Sequence, residues 1–331
     1  MSYSHGRSRW VTVPLVLVLA GVTPLNTFAA EVYPARPIRL VVPFSPGGAA
    51  DVPVRLLSQR LSESLGQQIV VDNRPGAGST MGAEIVAKAR PDGYTLLTIT
   101  AAHFVSAGMY PRLSYQSLLD FSPVTAFATS TYVLVVHPGL EVRSVKELIT
   151  QAKAAPGKID FASSGSGSLQ HLMAALFNRM AGADMTHVPY KGSAPALTDV
   201  IGGRVKVSFA SIVNVWPHMK SGRLIGLAVT SANRSVLVPD IPTVAEAGVP
   251  GYEATQWTGI AGPRALPAGI VSTLHAAIVQ LSGRPDFSEN LRPSGSEVMV
   301  QNTPALAVAF MQQESVKWLR LVKDSGARVD Y

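Results

Sequence analysis

The chain has 331 residues, with 28 Lys and Arg against 21 Asp and Glu, no cysteine, and 47% hydrophobic residues. That length can bury a large core and suits two domains of ordinary size. The low charge excludes a disordered chain, and the missing cysteines exclude disulfide scaffolds, thiolate zinc sites and cysteine nucleophiles.

The formal charge of +7 does not point to nucleic acid, because no two Lys or Arg residues are adjacent and no basic stripe forms. Residues 1–29 read as a signal peptide. Arg7 and Arg9 make a positive start, Val11 to Val22 is apolar apart from Thr12, Pro14 and Gly21, and cleavage is expected after Ala29. The apolar run, about 12 residues, is too short for a stable membrane anchor. The expected product is a periplasmic protein, whose formal charge drops from +7 to +5 when Arg7 and Arg9 are removed.

Strand-like and helix-like segments then alternate. Ile38–Val42 is β-branched and runs into a Pro-Phe-Ser-Pro-Gly-Gly turn, after which a helix is expected with Asp51 as its N-cap and Pro53 in its first turn. Val54, Leu57, Leu61 and Leu65 give this helix one apolar face, and Gly66 stops it. Ile69–Val71 is a second strand, followed by the loop Gly76-Ala77-Gly78, a helix carrying Met81, Ile85 and Val86, and a third strand over 94–100. This β-α-β-α-β order predicts an α/β fold with a parallel sheet and helices on both faces.

The pattern restarts with a strand at Val133–Val136 and a capping box at Ser144–Glu147. A strand over 158–162 leads into Ser163-Ser164-Gly165-Ser166-Gly167-Ser168, and a helix follows. Three more strands are expected near 186–189, 205–209 and 224–229; after residue 260 only helices are clear, one at Pro267 and one capped by Thr303. Two lobes result, with chain crossings near 128–132 and 253–260. The boundaries are 30–130 with 256–331 for the first lobe and 131–255 for the second. The terminal helix is expected to pack on the first.

Four turns end a strand and open a helix: Gly47-Gly48, Gly76-Ala77-Gly78, Ser163–Ser168 and Tyr190-Lys191-Gly192-Ser193. Such turns aim unpaired N–H groups and the positive end of a helix dipole at an anion. Together they predict a cleft site for a small anion, most economically a carboxylate. Catalytic motifs are missing. Gly165-Ser166-Gly167 lacks the spacing of a nucleophile elbow, and Met81 stands where a dinucleotide fingerprint needs its third glycine. His103, His137, His171, His187, His218 and His275 show no metal spacing. No cofactor, no metal and no nucleic-acid partner are expected. His171, beside an anion loop, reads as a capping or packing residue in preference to a ligand contact, and Trp257 as either a ligand-stacking or a hinge-packing side chain.

At these same residues the sequence resembles the Bug family, the TctC-like extracytoplasmic solute receptors of tripartite tricarboxylate transporters. The strings YPARPIRLVVPFSPGGAAD (33–51), VVDNRPGAGSTMGAEIVAKARPDGYTLL (70–97), HVPYKGSAPALTDVIGG (187–203) and LAVTSANRSVLVPDIPTVAEAGVPGYEATQW (227–257) carry the resemblance. It implies a type II periplasmic binding-protein fold, with two α/β lobes and a ligand carboxylate held mainly by backbone N–H groups and water. Carried over by position, the site would use Phe44, Ser45, Gly47, Gly48 and Asp51, with Thr100 and Ala101, from the first lobe. The second would supply Ser163, Ser164, Gly165, Ser166, Tyr190, Lys191 and Gly192.

The resemblance further implies a small carboxylate ligand and membrane permease subunits as partners; a monomer is expected. Three places depart from the family pattern: Ala210 stands for the usual Asp, and the segments 114–121 and 106–110 lack the usual Asp-Pro and Asn-Pro. Without that Asp, a ligand ammonium loses its obvious counter-charge. Two other functions compete with transport: a sensor receptor signalling to a membrane kinase, and, with less support, a hydrolase using a serine of 163–168.

Overall fold

The computed structural model describes residues 1–3, 6, 33–47, 50–110, 112–299 and 301–325. The chain divides into Met1–Val32 and Tyr33–Tyr331, and every strand and helix of the described residues belongs to the second unit. The leader beyond residues 1–3 and 6, its cleavage after Ala29, and Gly48 lie outside the described residues.

β-Branched runs become strands, and Gly or Pro punctuates them. β1 (Ile38–Val42) leads into α1 (Asp51–Leu65), which Gly66 closes in the left-handed conformation at φ 66°. β2 (Ile69–Asn73), α2 (Thr80–Ala87), β3 (Thr95–Thr100) and α3 (Ala101–Met109) follow. β4 (Phe121–Ser130) and β5 (Tyr132–Val136) are separated by Thr131 alone. Next come α4 (Val145–Ala154), β6 (Ile159–Ser163), α5 (Leu169–Ala181), β7 (Met185–Pro189) and α6 (Ser193–Ile201). β8 (Val207–Ser211), α7 (Ile212–Lys220) and β9 (Ile225–Val229) complete this stretch. The chain returns through β10 (Gln256–Pro263) to α8 (Ala268–Ser282), α9 (Pro285–Leu291), β11 (Ser296–Val298) and α10 (Pro304–Ser325).

These strands form two sheets, ordered β11-β4-β10-β3-β1-β2 and β7-β6-β8-β5-β9. β1 pairs parallel with β2 and β3, and β6 pairs parallel with β7 and β8. Strand order therefore reverses beside β1 and beside β6, and each reversal opens a crevice at the carboxyl ends of the strands. β10 runs antiparallel between β3 and β4, and β5 runs antiparallel between β8 and β9. Both sheets are thus mixed, where the sequence pattern alone implied a parallel sheet. β4, β10 and β11 also escaped the pattern. β4 contains Pro123 and β10 contains Gly259 and Gly262, so partner strands rather than propensity make them extended.

One apolar cluster runs from Leu97 and Phe104 beside the first sheet, through Trp257 and Trp318, to Phe161, Leu172 and Phe209 beside the second. Separate clusters back the outer faces. Ile38 and Leu40 pack with Leu57 of α1 and Ile278 of α8; Val133 and Val135 pack with Val200 of α6 and Val215 of α7. α10 packs on α3 and β4, as a terminal helix of the first lobe should, but it also reaches α5 of the second.

At this junction Glu314 of α10 is buried, 4% exposed. Its Oε2 accepts from Trp257 Nε1 on β10 and from Trp318 Nε1, each at 2.6 Å, while Lys317 pairs with Oε1. Trp257 is itself only 1% exposed, so its ring packs at the crossing and does not stack in the cleft. A hydrogen bond to a charged group is worth about 1.5–3 kcal/mol, and a buried charge that loses a donor keeps its desolvation cost. Trp257→Phe is expected to lower unfolding stability by about that amount, 1.5–3 kcal/mol, in urea titrations, with the far-ultraviolet circular dichroism unchanged.

Candidate functional site

Where the carboxyl ends of the two sheets face each other lies a cavity of about 280 Å³. This is near the lower limit of the roughly 300–1,000 Å³ usual for ligand pockets. Its walls come from one place in each lobe's topology. Phe44, Ser45 and Ala50 follow β1; Thr100 and Ala102 end β3 and start α3; Ser164, Leu169 and Gln170 follow β6; Ser193 follows β7. Tyr132 and Gln256, the first residues of β5 and β10, complete it, joined by a 2.9 Å hydrogen bond from the phenol to the carboxamide oxygen. Burial pushes the Tyr132 phenol up to about 12, so it stays a neutral donor. A groove of about 510 Å³ between α5 and α10 is larger, but it is a shallow surface hollow lined by exposed side chains such as Val316.

Among the described residues, no side chain lining the cleft cavity is charged. What converges there instead is helix starts. Ala50 and Thr100 are the N-caps of α1 and α3, Leu169 and Gln170 open α5, and Ser193 opens α6. Thr100 caps its own helix by accepting from the Ala102 N–H at 3.2 Å, and Ser168 caps α5 by accepting from the His171 N–H at 3.3 Å. α1 and α6 have no side-chain cap, which leaves their first-turn N–H groups without that partner.

The loop after β1 is held from below. Asp51 is the first residue of α1 rather than its N-cap, and its carboxylate is fully buried. It accepts from the Gly47 N–H at 2.8 Å, from Arg55 Nε at 2.7 Å and from Asn73 Nδ2 at 2.7 Å. Asn73 Nδ2 also donates to the Phe44 carbonyl at 2.9 Å. Burial pushes the Asp51 carboxyl up, but the donors Arg55, Asn73 and Gly47 outweigh it and hold the group below its ordinary 3.8. Asp51 therefore shapes the loop and does not face the cavity.

The serine loop is self-satisfied to a degree its sequence does not reveal. Ser164 N–H donates to Gln170 Oε1 at 2.8 Å, Gly165 N–H to Ser163 Oγ at 3.1 Å, Gly167 N–H to His171 Nδ1 at 3.0 Å, and Ser168 N–H to the Gly165 carbonyl at 3.1 Å. The expected row of unpaired donors is thus largely used inside the loop. Gly165 sits at φ 138°, and a Cβ there would come within 3.2 Å of the Tyr190 carbonyl, so only glycine fits. Gly167 meets the Met109 side chain of α3, where the lobes touch.

Of the residues assigned from the sequence, Phe44, Ser45, Thr100 and Ser164 line the cavity. Ala101 faces the core, and its neighbour Ala102 takes its place. Ser163 is fully buried and turned toward His187. Gly47 donates to Asp51, while Gly165 and the exposed Ser166 lie beyond the cavity wall. Tyr190 turns away to donate to Asp199 at 2.7 Å, Lys191 is exposed, and Gly192 donates its N–H to the Ser164 carbonyl at 3.1 Å. The loop at 76–78 is tied to α3, with Ser106 Oγ donating to the Gly78 carbonyl, and contributes nothing to this cavity.

Sequence reasoning missed Tyr132, Gln170 and Gln256. Only the expected crossings near 128–132 and 253–260 could have flagged the first and last. Ala210, a residue of β8, is 4% exposed and packed with Val133 and Ile212, outside the cavity lining.

Two sheets of matching strand order, joined by two crossings over a cleft, define a two-lobed binding protein of the type II periplasmic fold. The family follows from comparison with known proteins. The family model for the tripartite tricarboxylate transporter family receptor matches residues 54–327. Protein BugT of Bordetella pertussis is 37% identical over 303 residues, covering 91% of this chain and 93% of that protein. An R. palustris protein solved with adipate is 36% identical with a TM-score of 0.75, covering 90% of this chain and 100% of its own. MatC from Rhodopseudomonas palustris, solved with bound malate, is 32% identical with a TM-score of 0.70, covering 88% and 100%. The chain belongs to the tripartite tricarboxylate transporter receptor family, the Bug or TctC-like solute receptors.

Because Asp51 is held below 3.8 in the folded protein, its contribution to stability is present above that value and is lost as the pH falls below it. Asp51→Ala strands the Gly47 N–H and is expected to cost about 1–3 kcal/mol at pH 7 by denaturant unfolding. The gap to wild type should narrow in acid, below about pH 4.

Proposed function

We propose that the protein is a periplasmic receptor that captures a small organic carboxylate, a di- or tricarboxylate or related acid, in the cleft cavity and delivers it to membrane permease subunits. One observation carries the reading. Four helix N-termini meet at one small cavity that no charged side chain among the described residues lines. Each N-terminus carries about half a positive charge, and partly buried geometry makes such a contact worth up to ~2 kcal/mol toward an anion. The adipate and malate seen in two relatives support the same ligand class.

In this reading the ligand-facing set is Phe44, Ser45, Thr100, Ala102, Ser164, Gln170 and Ser193, with Tyr132 and Gln256 at the crossings. The lobes are 30–130 with 256–331 and 131–255, and the receptor acts as a monomer after loss of residues 1–29. Ligand closes the cleft only by its higher affinity for the closed form. The hydrolase alternative is disfavoured by geometry, since the serine of this loop that meets a histidine, Ser163, is fully buried and points away from the cavity.

A thermal-shift screen of mono-, di- and tricarboxylates tests the proposal. A ligand at a hundredfold excess over its Kd should stabilise the protein by about 2.7 kcal/mol. Ala102→Phe, which fills the cavity, should abolish that gain and leave the unliganded Tm near wild type. A screen in which no carboxylate raises the Tm would overturn the reading.

A further inference from the structure

Behind the serine loop, on the side away from the cavity, two imidazoles stack face to face. His171 of α5 and His187 of β7 have ring centroids 3.9 Å apart and planes inclined by 4°. Phe161 of β6 extends the stack, 5.0 Å from His187. Each histidine holds one end of the loop. His171 Nδ1 accepts the Gly167 N–H at 3.0 Å, which requires that nitrogen to be unprotonated. His187 Nε2 lies 2.6 Å from Ser163 Oγ; the same Oγ accepts the Gly165 N–H and donates to the Gly165 carbonyl at 3.0 Å, which makes the imidazole the donor to the serine.

We propose that His171 and His187 are positioning residues that hold the 163–168 loop in the shape the cleft uses, and that uptake of a proton by the pair loosens this loop. The bonds fix the direction. A protonated His171 turns Nδ1 from acceptor to donor, so the Gly167 N–H then faces another N–H. A protonated His187 keeps its donor bond to Ser163 but places a charge against the ring stacked on it. The His171 ring is buried, so a charge placed on it keeps a desolvation cost unless the loop moves.

The described charges around the pair do not supply a fixed counter-ion for His171. Arg179 and Asp184 line the hollow beside the rings, and Asp324 of α10 closes it, already ion-paired to Arg179. Asp160 neighbours Phe161 on β6 and so projects from the opposite face of the sheet. Burial, with His187 as a second cause, pushes His171 down to about 4, and burial also lowers His187. A free imidazole titrates near 6.5, so the hold on the loop is complete above that pH and weakens as the pH falls toward 4. The inference rests on the receptor reading only for its consequence, weaker ligand capture in acid.

Hydrogen exchange on the ligand-free full-length protein tests the coupling without that reading. Protection factors for Gly165, Gly167 and Ser168, corrected for intrinsic exchange, are compared at pH 7.5 and 5.0. In wild type they should fall roughly tenfold or more, while the interior of α8 stays constant. In His171→Gln, whose side chain cannot titrate, the fall should shrink to threefold or less; His187→Gln is the second variant should the first misfold. Unchanged protection of the wild-type loop at pH 5.0, or an equal fall in both variants, would overturn the proposal.

Discussion

The terminal helix and the crossing strand β10 are joined through one buried carboxylate. Glu314 takes both indole donors, Trp257 from the crossing strand β10 and Trp318 from its own helix, and pairs with Lys317. A charge buried this deeply is tolerable only while its acceptor sites are filled, so the helix and the crossing strand are fixed to each other. β10 is also the strand that inserts between β3 and β4. The contact therefore ties the position of one interlobe crossing to the centre of the first sheet. α10 extends from there to α5, where Arg179 pairs with Asp324. The cleft lies on the opposite course, at the carboxyl ends of the strands, with Tyr132 and Gln256 as its hinge-side wall.

The cavity, by contrast, keeps charge out of its described walls. Its rims are assembled by side chains that stay out of it. Asp51 occupies the Gly47 N–H and Gln170 the Ser164 N–H, so both loops are shaped before any solute arrives. Loops ordered in advance lose less conformational entropy on binding. What remains facing inward is hydroxyl, carboxamide and apolar surface over the starts of helices. Neutral walls with oriented dipoles attract an anion without the desolvation cost that a buried Arg would add.

The sequence made much of the parallel scaffold legible and little of the antiparallel part. Ile38–Val42 and Ile159–Ser163 announce themselves through β-branched or aromatic residues followed by Gly- or Ser-rich turns. β4 and β10 carry Pro and Gly where a strand should be rich in Val and Ile, and they exist because each finds a partner far along the chain. The candidate site divides in the same way. Turn chemistry located the loops at 44–47 and 163–168, but which atoms face the cavity is set by tertiary partners. Ser163 turns to a histidine 24 residues away, and Tyr132 meets Gln256 across 124 residues. No local pattern carries that information.

The position of Ala210 shows how such tertiary information changes a chemical argument. Along the sequence, the absence of an Asp there removed the counter-charge for a ligand ammonium group. In the fold Ala210 is a buried residue of β8, away from the cavity wall. In the proposed receptor, discrimination against a cationic group comes instead from the cavity itself. An ammonium placed among four helix N-termini meets their positive ends, with no carboxylate among the described wall residues to offset them. In that reading the field that favours a carboxylate also disfavours an ammonium, through backbone dipoles rather than through any one side chain.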